Sequence, residues 1–92
     1  MLDKIIISEK FRDYLEGLSH EKMSRMNLIT FMLDNDMNNE EKFNKIQTEY
    51  LEFFIQYEVA KKQLEKLYIA PRYKTWSSWM LDFRSKEITI YE

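Results

Sequence analysis

Cysteine is absent from the 92-residue chain, and glycine and proline occur only once each. The lack of cysteine excludes disulfides, thiolate nucleophiles and thiolate metal sites. One glycine cannot form a glycine-rich phosphate-binding loop. It also argues against an all-β architecture, which needs many tight turns. A mainly helical chain is therefore expected.

Long apolar runs are also missing. No stretch approaches the roughly 20 apolar residues that span a bilayer, and the short run Ile5-Ile6-Ile7 has neither the length nor the cleavage site of a signal peptide. Together with the absence of cysteine, this predicts a cytoplasmic protein that is not embedded in a membrane. The length and a hydrophobic content of 45 % predict one domain spanning residues 1–92.

Residues suited to catalysis or metal binding are scarce. The only histidine, His20, lies between Ser19 and Glu21, where a surface or capping role is expected. Helical carboxylates invite a metal-site interpretation, but ferritin-like sites need Glu-x-x-His pairs, and no histidine follows any of these residues, namely Glu49, Glu52, Glu58 and Glu65. The sequence therefore predicts no catalytic residue, cofactor or metal, and a protein that is not an enzyme.

The first half predicts a short strand over 3–7 and a helix over 9–34. Ser8 can cap the helix, and Glu9 lies in its first turn, where the helix dipole favours an anion. The helical stripe has one gap near Lys22 and comprises Phe11, Leu15, Leu18, Met26, Ile29 and Leu33. Gly17 weakens the middle of this helix, so two shorter helices, with Ser19 capping the second, are the alternative.

The second half predicts a turn over 34–39 and a helix over 40–70 that ends before Pro71. Asn38 and Glu41 have the spacing of a capping box. The strongest pattern in the chain is a 3-4 alternation typical of a coiled-coil seam, formed by Phe43, Ile46, Tyr50, Phe53, Tyr57, Ala60, Leu64 and Leu67.

Apolar and polar residues alternate near the C-terminus and predict a β-hairpin over 79–91. The expected register places Phe83 opposite Ile88 and Leu81 opposite Ile90, with a longer loop favoured because the turn contains no glycine. An isolated hairpin is marginally stable, so residues 3–7 are expected to add a third strand. The predicted fold is mainly α (α+β): a long antiparallel two-helix hairpin with a small sheet.

Two groups of residues are candidates for partner binding. Leu51, Phe54 and Ile55 fall outside the heptad seam, so either the sheet or another chain must cover them; pairing two hairpins into a four-helix bundle predicts a homodimer. The second group lies in residues 61–86, which carry seven basic and two acidic side chains, and comprises Arg72, Tyr73, Lys74 and Trp76. Basic and aromatic residues together occur in single-strand nucleic-acid binders. The net charge of −2 and the missing fold signature favour a protein or peptide partner over nucleic acid, and a solvated helix face is the simpler interpretation of the charge.

The C-terminal segment also carries a resemblance to a known family. Trp79-Met80-Leu81-Asp82-Phe83, a polar turn and then Glu87-Ile88-Thr89-Ile90 follow a helical body. This layout resembles small accessory proteins of bacterial systems that modify ribosomally made peptides with Cys-Xaa-Xaa-Xaa repeats. The family has a cysteine before its Glu-Ile, where this chain has Lys86. The resemblance implies an accessory role beside a peptide-modifying enzyme and supplies no catalytic residue.

Two functional hypotheses follow. The first is a non-catalytic binding module, an adaptor in a peptide-modification pathway. The second is a small inhibitor or immunity-type protein from a phage, plasmid or bacteriocin locus, which would block one target by surface complementarity.

Overall fold

The computed structural model describes residues 2–35 and 39–92, and 64 % of them are helical. Strand β1 (Asp3–Ile6) precedes helix α1 (Glu9–Asp34) and helix α2 (Glu40–Leu64). One turn of π-helix (Glu65–Ile69), strand β2 (Ser78–Asp82) and strand β3 (Glu87–Tyr91) complete the chain. The mainly α fold, with two long helices and a three-stranded sheet, is confirmed.

Helix α1 begins as the sequence predicts. The Ser8 hydroxyl accepts a hydrogen bond from the Phe11 amide at 3.1 Å, and its carbonyl accepts one from the Arg12 amide. The helix runs through Gly17 without interruption, so the alternative of two shorter helices is wrong. Gly17 has no positive φ and is exposed. Its conformation is thus one that any residue could adopt.

Helix α2 is capped by Asn39. The side-chain oxygen of Asn39 accepts a hydrogen bond from the Lys42 amide at 3.0 Å, which satisfies one of the free donors of the first turn. The capping box predicted for Asn38 lies outside the described residues. The described part of the turn, Asn35, donates its backbone and side-chain N–H groups to the Phe31 carbonyl.

The π-helical turn changes which residues face the core at the end of the second helix. The Ala70 amide bonds to the Glu65 carbonyl, a spacing of five residues, which inserts one residue into the helical turn. As a result Leu67 is 61 % exposed and Ile69 is fully buried. The assignment of Leu67 to the seam is therefore wrong, and helical structure ends at Ile69 rather than at residue 70.

The sheet is antiparallel with the strand order β1-β3-β2, so the N-terminal strand does add to the C-terminal hairpin. The predicted register is wrong by two residues, because Leu81 pairs with Ile88 and Trp79 pairs with Ile90. A register shift of two residues leaves the same side chains on the same face of each strand, because side chains alternate with a period of two.

The turn between β2 and β3 explains the shifted register. The Asp82 carboxylate accepts a hydrogen bond from the Arg84 amide at 2.9 Å, so the strand ends at Asp82 and Phe83 belongs to the loop. This contact lowers the pKa of Asp82. Lys86 supplies the positive φ of 60° that closes the loop in place of a glycine.

Contacts divide the chain into two compact units, Met1–Glu16 with Ala60–Glu92 and Gly17–Val59. In the first unit, the sheet and the adjoining helix segments bury a core of Ile5, Ile7, Leu15, Ala60, Leu64, Ile69, Ile88 and Ile90. In the second unit, the buried apolar residues are Leu18, Met32 and Ile46. The single-domain assignment of residues 1–92 stays a prediction.

Side-chain hydrogen bonds connect the elements of the first unit. Arg12 donates through Nη1 to the Phe83 carbonyl at 2.8 Å, and the Tyr68 hydroxyl accepts a hydrogen bond from the Ser8 amide at 3.1 Å. Trp79 donates through Nε1 to the Glu65 carboxylate at 2.8 Å. These bonds hold the hairpin and the helix ends in one arrangement.

Candidate partner-binding surfaces

The inner face of α1 in the second unit differs from the predicted stripe. Met26 and Leu33 are exposed, whereas Lys22 and Arg25 are half-buried. The helix continues its 4-3 spacing through the gap that the sequence shows at Lys22, and the less exposed positions are Leu15, Leu18, Lys22, Arg25, Ile29 and Met32. The prediction that Met26 and Leu33 belong to the stripe is wrong, because two cations occupy the seam positions of this part of α1.

Aromatic rings of α2 receive the Lys22 side chain. Its ammonium lies 4.7 Å from the ring centre of Tyr57 and 5.6 Å from that of Phe54. A cation over an aromatic face is stabilised by roughly 0.5–1 kcal/mol when the site is exposed. The long aliphatic stem of lysine meanwhile covers apolar surface.

Arg25 makes both ring and carboxylate contacts. Its guanidinium lies 4.8 Å from the ring centre of Phe53, and Nε lies 3.4 Å from a Glu49 carboxylate oxygen. It also pairs with Glu21 one turn earlier on α1. The two helices of this unit therefore contact each other partly through cations and aromatic rings, as well as through the smaller apolar core.

The first predicted group of partner-binding residues forms an exposed stripe on α2. Leu51 and Ile55 are 51 % and 60 % exposed and lie one turn apart, and Val59 extends the row by a further turn. Phe54 is 38 % exposed beside them, with its ring also in contact with Tyr50. We call Leu51, Phe54, Ile55 and Val59 the α2 stripe. The sequence identified the first three; Val59 was missed although it lies at the same four-residue spacing.

A second apolar surface lies on α1 and was not predicted. Met23, Leu28 and Phe31 are each about half exposed. They line a shallow groove of about 430 Å³ with His20, Ser24 and Asn27. The apolar stripe predicted for α1 consists of other residues, so the sequence pattern did not identify this surface. His20 belongs to this groove.

The second predicted group lines a cavity of about 650 Å³ in the first unit. Arg72, Tyr73, Lys74 and Trp76 are brought together there with Thr75, Ser77, Leu2 and Glu92. Trp76 is half-buried, and Lys74 is exposed. The cavity thus has the basic and aromatic character that the sequence suggested.

Tyr73 and Arg72 are held by a carboxylate of β1. The Tyr73 hydroxyl donates to the Asp3 carboxylate at 2.8 Å, and Arg72 Nη1 lies 3.6 Å from the same oxygen. The Tyr73 hydrogen bond, with a smaller contribution from the Lys4 amide, lowers the pKa of Asp3. The same hydrogen bond raises the pKa of Tyr73. Both side chains are thereby positioned, and Lys74 is left as the cation of the cavity with no ion pair among the described residues.

The described residues contain no group of three or more His, Cys, Asp or Glu side chains placed to hold a metal ion. Within the same part of the chain, no helix combines the length and the apolar character needed to cross a membrane. No protein-family model matches the chain, and comparisons with curated proteins and with solved structures likewise find no match.

Proposed function

We propose that this chain is a non-catalytic protein-binding module that acts as an adaptor. The observation that supports this most is the α2 stripe, a continuous row of large apolar side chains in solvent on a long helix. Large exposed apolar patches mark sites of association in folded proteins. Rows of apolar side chains at four-residue spacing are the usual contact surface of a helix that binds another helix or a groove.

The partner in this proposal is a peptide-modifying enzyme or its peptide substrate in the cytoplasm. Support comes from the C-terminal Trp79–Phe83 and Glu87–Ile90 segments, whose spacing resembles that of the accessory proteins of Cys-Xaa-Xaa-Xaa repeat peptide systems. The loop residue Lys86, which stands where that family has cysteine, has a positive φ. Because the chain contains no cysteine, the adaptor role proposed here uses no thiol of this chain.

Self-association through the α2 stripe is part of the same proposal, and a second copy and the partner would compete for this surface. Four side chains that are about half exposed would gain roughly 3–6 kcal/mol in total if a second copy covered them. A two-fold dimer is the commonest closed assembly, and two helix pairs form a four-helix bundle. We expect a mass of about 23 kDa, twice the 11.4 kDa of one chain, by light scattering at micromolar concentration. A monomer at every concentration would contradict the dimer.

Affinity capture from the native host, with mass spectrometry of the retained proteins, tests the adaptor role. The wild type is compared with Leu51→Glu, Ile55→Glu and the control Gln56→Glu, which changes the charge equally at an exposed α2 position outside the stripe. An adaptor retains a peptide-modifying enzyme or its peptide, and the two stripe variants lose it while the control keeps it. Equal retention by all variants would show that the stripe is not the binding surface. A phage, plasmid or bacteriocin target retained instead would establish the inhibitor alternative.

A further inference from the structure

Strand β2 has one edge of its backbone unpaired. The Ile7 amide donates to the Lys86 carbonyl, so even-numbered residues of β3 direct their backbone groups toward β1 and odd-numbered residues toward β2. In the β2–β3 register, the even-numbered residues of β2 therefore face β3. Trp79 and Leu81 consequently direct their N–H and C=O groups away from the sheet.

The opposite edge of the sheet is protected. On β1, the outward amide of Lys4 already donates to its neighbour's carboxylate, Asp3 Oδ1, at 2.7 Å. That strand is also charged at two of its four residues, and charges are a common device against edge-to-edge association. β2 has no such protection, because it contains no lysine and no proline, and its one charged residue, Asp82, is the last.

The unpaired part of the β2 edge ends before Phe83. The carbonyl of Phe83 accepts a hydrogen bond from Arg12, which occupies the next outward acceptor along this edge. No hydrogen bond among the described residues engages the outward N–H groups of Trp79 and Leu81. Between the two residues, the edge offers two donors and two acceptors, enough to fix a short extended segment in register.

Positive charge flanks this edge on both sides. Lys74 precedes β2 and Arg84 follows it, both with exposed side chains. The one acidic residue in the strand, Asp82, is its last residue, and its carboxylate accepts a hydrogen bond from the Arg84 amide in the loop. An arriving strand with acidic side chains would thus meet opposite charges before and after the paired residues.

The same charges disfavour a second copy as the occupant. Two β2 strands pairing antiparallel about Met80 would place Lys74 of each copy opposite Lys86 of the other, with Arg84 two residues away. Like charges placed opposite each other across strands are destabilising. Met80, which is 65 % exposed on the outer face of the sheet, favours an apolar side chain beside it in the added strand.

We propose that the Trp79–Leu81 edge of β2 binds an extended acidic peptide segment with alternating apolar residues, which adds to the sheet as a fourth strand. This interaction rests on the proposed protein-binding role but uses a surface other than the α2 stripe. The variants Leu51→Glu and Ile55→Glu leave it unchanged, so failure of one proposal is distinguishable from failure of the other.

Backbone amide exchange measured by NMR tests the proposal directly. The probe is a short synthetic peptide of alternating Glu and Val residues, added to the full chain. We expect exchange at the amides of Trp79 and Leu81 to slow in its presence, because those N–H groups become hydrogen-bonded. A peptide of alternating Lys and Val, and the Glu–Val peptide with N-methylated amides, should not protect them.

Charge variants provide a second readout. Lys74→Glu should weaken binding of the Glu–Val peptide about three- to tenfold, as expected for an exposed charge at the rim of a site. Lys66→Glu, an equal charge change at another exposed position, should leave the affinity unchanged.

Three results would overturn the proposal. The first is an absence of protection at Trp79 and Leu81 at saturating peptide. The second is equal binding of the N-methylated peptide. The third is protection that grows with protein concentration alone, which would assign the edge to a second copy.

Discussion

The π-helical turn makes Ile69 and Leu67 exchange the roles that an uninterrupted heptad would give them. Ile69 is fully buried, whereas Leu67 is 61 % exposed. Truncation of a buried isoleucine to alanine removes its transfer free energy and leaves a cavity, which costs about 2–5 kcal/mol. We therefore expect Ile69→Ala to lower the free energy of unfolding by that amount, a large share of the roughly 5–15 kcal/mol of a small domain.

Leu67→Ala is the matched control, because it makes a closely similar truncation two residues away in the same turn. It should change the free energy of unfolding by less than about 0.5 kcal/mol, as surface substitutions usually do. Alanine is at least as good a helix former as either residue, so backbone propensity does not account for a loss. Urea unfolding followed by circular dichroism measures the free energy of unfolding of both variants. In a thermal melt, the midpoint temperature of Ile69→Ala should fall by at least about 8 °C.

A greater loss from Leu67→Ala than from Ile69→Ala would refute this reasoning. It would mean that the heptad continues through residue 67 in solution and that the π turn is absent. Comparable losses from both variants would also contradict it, since only one of the two side chains is buried by the π-helical geometry.

Three further perturbations have defined outcomes. Gly17→Ala should raise the free energy of unfolding by about 0.5–1 kcal/mol in thermal denaturation, because the position is helical and, apart from its chain neighbours and the local helix backbone, no atom lies within 4 Å of the added methyl group; destabilisation would indicate a break in α1. Ser8→Ala should lower it by about 0.5–2 kcal/mol through loss of the cap, and an unchanged midpoint would contradict the capping role. Tyr73→Phe removes the bond that lowers the pKa of Asp3 from its ordinary 3.8. Because that contribution is present above the unfolded pKa and lost as pH falls through the folded one, the stability difference from wild type should shrink below about pH 4 in acid titration, and a difference that persists at pH 2 would contradict the assignment.

The helix and strand positions could be predicted from sequence because each has a local signal. The cap at Ser8, the stop at Pro71 and the alternation in the last 14 residues depend on neighbours in the chain. The bounds of α1 are those predicted, and the strands differ from the prediction by one residue at most ends.

The errors arise where the periodicity of the sequence is compatible with more than one arrangement. Apolar periodicity restricts a register only to steps of two residues. The hydrogen bond from the Arg84 amide to the Asp82 carboxylate ends β2 at Asp82 and so selects one of the registers that the periodicity allows. Which residues of the last helical turn face the core likewise depends on the packing of Ile69. The heptad pattern of the sequence does not indicate that the π-helical turn inserts a residue.

The partner-binding residues were predictable in part. Leu51, Phe54 and Ile55 were recognisable because they fall outside a strong seam, and the structure leaves them exposed together. The α1 groove was not recognised, because the apolar stripe predicted for α1 does not include its three apolar residues. The position of Lys22 and Arg25 in the inner row of α1 could not be predicted from apolar periodicity.

That arrangement of α1 bears on function. In the unit Gly17–Val59, Lys22 and Arg25 occupy seam positions while Phe31 and Ile55 lie more than half exposed. Burying an apolar side chain of that size is worth roughly 1.5–3 kcal/mol, whereas a cation over a ring contributes only about 0.5–1 kcal/mol. Apolar residues at the seam positions and cations at the exposed positions would make the helix pair more stable. The stability of this unit alone therefore does not account for the observed placement of these residues. A sequence departs from the most stable pattern mainly where another requirement applies. Binding is such a requirement, because a partner that covers the exposed residues recovers the free energy that the isolated helix pair lacks.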